Sequence, residues 1–115
     1  MRVWRVETPK GNGPYRGDRD ISEECKEALR DTENIRHPMP YDDIWKWDPI
    51  IHKEWLFGFS SIQQLKLWFN YVKDFAHEFL IVEYEAKHWL EGNTQLVFFP
   101  LEIISKRSLK EIYEM

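Results

Sequence analysis

The spacing of apolar residues changes along the chain, and each change predicts an element. Val3, Trp4 and Val6, set around Arg2 and Arg5, form a short β-prone run that Thr8, Pro9 and the glycine-rich stretch KGNGPYRGD bring to an end. Ser22, ahead of Glu24 and the segment Cys25 to Arg30, predicts a short capped helix over about 22–30, its acidic first turn matched to the helix dipole. Beyond it the pattern loses its period. Pro38, Pro40 and Pro49 punctuate a long loop over 31–54, the kind of connection that forms flaps and binding loops in small folds.

Trp55 to Phe59 reads as a second strand, in which Gly58 marks a bulge or a close backbone approach. Ser60 and Gln63 make an S-x-x-Q capping box. Ile62, Leu65, Trp68, Phe69, Val72, Phe75 and Ala76 then recur at three- and four-residue spacing, which predicts the main helix over about 60–78. Phe79 to Tyr84 is a nearly continuous apolar run, as in a central strand. Glu91-Gly92-Asn93 turns the chain into a strand from Thr94 to Phe99, ended by Pro100. Leu101 to Ile104 reads as a further strand, and Ser108 to Tyr113 as a terminal helical turn or an edge segment. The order predicts an α+β fold: a largely antiparallel sheet packed with one main helix and one short helix, in a single domain over 1–115.

Composition narrows the function classes. Six Trp, seven Phe and five Tyr in 115 residues give a core that needs no disulfide or metal to hold it. The 20 acidic residues outnumber the 16 Lys and Arg, for a net charge of −4, so direct binding to nucleic acid or to an anionic membrane is not expected. Cys25 is the single cysteine, which excludes an intrachain disulfide and points to a reducing, cytoplasmic setting. No apolar signal segment and no membrane-length apolar run is visible.

Candidate chemistry is sparse. His37, His52, His77 and His88 lie far apart and lack the spacing of a metal motif, and His77 reads as a surface residue. Ser60 and Ser61 sit in no nucleophile elbow. The acidic pairs Asp42-Asp43 and Glu83/Glu85 read as solvated. In GNGPYRG the glycines and Pro14 fix a turn that presents Tyr15 and Arg16, without the spacing of a phosphate loop. Alternation puts Val3, Arg5 and Glu7 on one strand face and Trp4 and Val6 on the other, so Arg5 faces either solvent or a cleft where it binds an anion. Gln95 is an uncharged amide inside an apolar strand, paired with backbone or with a ligand. Tyr41, Trp45, Trp47 and Trp55 are too large to stay exposed together, which predicts a lid over 38–49 against the sheet, with Trp45 or Trp47 half-exposed beside Arg5 or Tyr15.

The strings V-W-R-V, G-P-Y, F-G-F-S-S and T-Q-L-V-F-F-P resemble small phage and prophage proteins, and the order of parts is similar to a minimal ADP-ribosyltransferase-type core. That resemblance implies a first-strand residue, Arg5, holding NAD phosphates or ribose, Ser60 with Ser61 beside a nicotinamide pocket, and Gln95 where the family carries a catalytic Glu. Tyr15 with Trp45 or Trp47 would stack on a planar ring. A glutamine neither acts as a base nor stabilises an oxocarbenium charge. The implied protein is therefore a phage-type accessory protein that binds a nucleotide-like ligand such as NAD or ADP-ribose, or a host protein, with catalysis impaired or absent. Two alternatives stand beside it: an active NAD-dependent transferase drawing its acid from Glu83 or Asp43, and a steric inhibitor of a host defence protein, of anti-restriction or anti-CRISPR type.

Overall fold

The alternation around Arg5 that the sequence displays becomes the first edge of an antiparallel sheet. A computed structural model describes residues 1–13, 21–30, 43, 44 and 46–114. Among them the elements are β1 (Arg2–Glu7), α1 (Glu23–Arg30), β2 (Leu56–Gly58), α2 (Ile62–Trp68), a 3-10 helix (Asn70–Glu78), β3 (Leu80–Glu91), β4 (Leu96–Ser108) and α3 (Leu109–Tyr113). The four strands run in the order β1-β3-β4-β2, every neighbouring pair antiparallel. Just past β2, Phe59 pairs back with Trp4 through two backbone hydrogen bonds of 2.8 and 2.9 Å, so the sheet curls until its outer strands meet. Gly58 permits that approach, because a Cβ there would lie 2.7 Å from Val3 Cγ1 and 2.9 Å from the Trp4 carbonyl.

Each face of the sheet carries a buried cluster. Val3, Val82, Tyr84, Ala86, Leu96 and Phe98 form one buried cluster drawn from β1, β3 and β4. Val6 and Ile81, on the opposite face, pack with the helical layer of Cys25, Leu65, Phe69, Val72 and Leu109. Ser22 caps α1 through the Cys25 amide at 3.2 Å, and its own hydroxyl donates to Glu78 at 2.6 Å, which ties the helix to the 3-10 segment.

The α+β class with a largely antiparallel sheet stands, and the differences from expectation have local causes. Two capping boxes overlap, Ser60/Gln63 and Ser61/Gln64. The Phe59–Trp4 bridge keeps the backbone extended past the first, so Ser61 is the cap, accepting from the Gln64 amide at 3.1 Å. The main helix expected over 60–78 is α-helical only as far as Trp68 and 3-10 from Asn70, with Val72 off helical geometry at φ −111° and ψ 21°. Aromatic and β-branched residues crowd this stretch, and Phe69, Val72 and Phe75 repeat every third residue, which suits the tighter helix. β3 extends well beyond Tyr84, and β4 continues through Pro100, which sits at a register shift opposite Ala86, the kind of irregular position at which a sheet tolerates proline. Of the loop expected over 31–54, residues 31–42 and Trp45 lie outside the described residues, as does Tyr15.

Candidate functional site

Three polar side chains of the β1–β3 pair meet in the interior. Arg5 donates from Nε to Glu7 Oε2 at 3.2 Å and from Nη1 to the Phe57 carbonyl at 3.1 Å. Glu7 Oε2 also accepts from the Tyr84 hydroxyl. The Arg5 and Glu7 side chains are 13% and 4% exposed, so this is a buried ion pair whose carboxylate has an additional donor. Burial, then the bond to Glu7 and the charge of Glu7, push the Tyr84 phenol well above its ordinary range, while Arg5 pulls the other way. Gly13 brings the first loop against this group, since a Cβ there would meet Arg5 Nη2 at 3.0 Å. Arg5 thus faces inward, with its guanidinium neutralised by Glu7.

A second buried carboxylate organises the far end of β3. Asp43 Oδ1 accepts from the amides of Asn93 and Thr94 at 2.9 and 3.1 Å, and Oδ2 from the Gln95 amide and the Thr94 hydroxyl, both at 3.1 Å. Gly92 is required beneath it, because a Cβ there would stand 2.6 Å from Asp43 Oδ2 and 2.7 Å from the Asp43 carbonyl. The sequence reading of Asp43 as a solvated acid is therefore corrected: it is buried, and its charge staples the 43–44 segment to the β3–β4 turn. Glu83 is engaged too, accepting from Ser105 Oγ at 3.1 Å and lying 3.6 Å from Arg2. Beside the turn, Ser60, Gln64, Asn93 and Gln95 line an open polar groove of about 140 Å³. Two of the sequence-predicted residues, Ser60 and Gln95, thus share one groove, while Arg5 lies apart from it among the described residues.

Beyond the 43–44 segment, the described part of the long loop meets β2 through Trp47. Trp47 is half-buried and meets Phe57 edge-on at 5.6 Å. Phe57 is also the residue whose backbone carbonyl holds Arg5, whereas Trp47 meets its ring. His52 packs on Trp55 at 4.6 Å, and Trp55 in turn stacks with His88. Between Trp47 and Trp55 the chain makes a tight projecting turn. Asp48 Oδ1 accepts from the amides of Ile50 and Ile51 at 2.8 and 3.2 Å, and His52 Nδ1 accepts from the Asp48 amide at 2.9 Å. Ile50 and Ile51 at its tip are 81% and 72% exposed. Sequence reasoning missed this tip, although Asp48-Pro49 followed by two isoleucines is a readable signal of a turn that presents apolar residues.

Fold and surface together define a small α+β protein with a few buried, bonded polar side chains, Glu7 and Asp43 among them, and two exposed isoleucines on the turn after Trp47. A family model described as Bacteriophage T4 Y00F protein matches residues 1–110, and the chain belongs to that phage protein family. No curated protein and no solved structure matches it. No helix among the described residues is long and apolar enough to cross a membrane.

Proposed function

We propose that the protein is a phage accessory protein that binds a host protein and blocks it sterically, as anti-restriction and anti-CRISPR proteins do, with no chemical step of its own. The observation that carries this reading is the Ile50–Ile51 tip. Two large apolar side chains stand in solvent on a turn that Asp48 and His52 already hold rigid, so little conformational entropy remains to be lost on docking. The acidic net charge of −4 favours a basic partner, such as a host protein whose own ligand is nucleic acid. Action in the host cytoplasm suits the single cysteine, whose burial beside Glu78 raises its pKa to about 11 and leaves it unreactive. Affinity capture with the wild-type chain and with the Ile50→Asp/Ile51→Asp variant tests this. The expected result is one host protein retained in near-equimolar amount by the wild type, weakened by salt and lost with the variant. Equal capture by both chains would overturn the reading.

A second reading rests on the groove that Ser60 and Gln95 share: an ADP-ribosyltransferase-like protein that binds NAD or ADP-ribose there without turnover. At about 140 Å³ the groove is smaller than the roughly 300–1,000 Å³ of ordinary ligand pockets, which favours the first reading. The inward, neutralised Arg5 points the same way. Calorimetric titration with NAD and ADP-ribose decides: heat at millimolar ligand that Ser60→Trp abolishes supports the groove, and no heat removes it.

A further inference from the structure

We propose that the C-terminal half of β4 is a two-fold self-association surface, where a second copy of the chain docks in antiparallel orientation. Past Phe98 this half pairs only with β3, because β2 covers the other side of β4 at Leu96 to Phe98 and nowhere further among the described residues. An unpaired strand edge is a ready template for another strand. Here it is also apolar: Leu101, Ile103 and Ile104 are 62%, 49% and 39% exposed. The bulge between the pairs Glu83/Ser105 and Tyr84/Ile103 leaves Ile104 as an extra residue, so two consecutive isoleucines emerge where a regular strand would turn one of them inward.

The charges choose the occupant. Glu102, Lys106 and Arg107 form no ion pair with any described residue. Antiparallel pairing of two copies about Ile104 sets Glu102 of one opposite Lys106 of the other. Pairing about the Ile104–Ser105 bond sets it opposite Arg107 instead. Either register makes the attraction twice by symmetry, as an isologous interface requires, and pairing about Ile104 also sets the two Ile104 side chains opposite each other at the axis. A dimer of this kind presents two Ile50–Ile51 tips, but it is inferred from β4 alone and stands independently of the function proposed above.

Sedimentation over a range of concentrations tests it. The wild type is expected as a concentration-dependent dimer. The Ile103→Ser/Ile104→Ser chain should dissociate more than about tenfold more readily, the weight of two isoleucines returned to water. Glu102→Lys gives an all-positive edge and Lys106→Glu/Arg107→Glu an all-negative one, so each should be monomeric alone and the two should form a heterodimer when mixed. All these positions are at the surface, and circular dichroism checks that each variant keeps its fold. A wild type that stays monomeric throughout, a dimer indifferent to the isoleucines, or charge variants that fail to pair when mixed would each overturn the proposal.

Discussion

The interior end of β1 and the outer edge of β4 belong to one curled sheet and use their residues in opposite ways. At the first, Arg5, Glu7 and Tyr84 bring charge inside and satisfy it there, as Asp43 does beneath the turn. At the second, and on the turn at Ile50 and Ile51, large apolar side chains are exposed. Burying charge is costly unless it is paired and bonded, and exposing isoleucine forgoes burial energy, so neither arrangement follows from stability alone. The contrast teaches that Arg5 and Asp43, polar residues a sequence reader weighs as chemistry, are engaged in holding structure.

Breaking the interior should have the largest effect. Glu7→Gln leaves Arg5 buried without its counter-charge and is expected to lower stability by about 3–5 kcal/mol, read from the urea midpoint. Asp43→Ala, which frees the turn amides held by its carboxylate, should cost about 3 kcal/mol and loosen hydrogen-exchange protection at Asn93 to Gln95 first.

Next comes an alkaline effect with a fixed sign. The Cys25 thiol is raised from 9.0 to about 11, the Tyr113 phenol by burial from 10.0 to about 12, and the Tyr84 phenol is raised as well. In each case the unfolded chain loses its proton first, so the stabilisation is whole below the unfolded value and is lost as pH rises from 9.0 to about 11 for Cys25 and from 10.0 to about 12 for Tyr113. Tyr84→Phe should cost about 1–2 kcal/mol at neutral pH by removing a donor from Glu7. It should also flatten the decline above pH 10.0, since one raised phenol is gone. An unchanged alkaline slope in that variant would place the effect on Cys25 and Tyr113 alone.

Much of this fold was legible because it depends on period. The alternation of Val3, Arg5 and Glu7 against Trp4 and Val6 is the register found, with Val3 opposite Tyr84 and Arg5 opposite Val82. The close approach at Gly58 could likewise be read from its place in an aromatic strand. Long-range pairings left no such trace. Whether Ser60 or Ser61 caps α2 is decided by a bridge between Phe59 and Trp4, which are far apart in sequence. The partner of Asp43 is a turn some fifty residues downstream, with |i−j| of 50 to 52, and no local pattern announces it. Glu7 and Tyr84 are 77 residues apart. For the candidate site the same division holds: the strand placement of Arg5 was readable, whereas Gln95, expected inside a strand, lies in the turn just before β4, and the neighbours that decide what each side chain does left no local pattern.

The claim that function lies in exposed apolar surface and not in buried polar chemistry is tested most directly on the Ile50→Asp/Ile51→Asp chain, by measuring urea stability and host-protein capture on the same preparation. Because both side chains are already in solvent, the account predicts stability within about 0.5 kcal/mol of wild type together with loss of capture. Full capture by a variant of unchanged stability would contradict it.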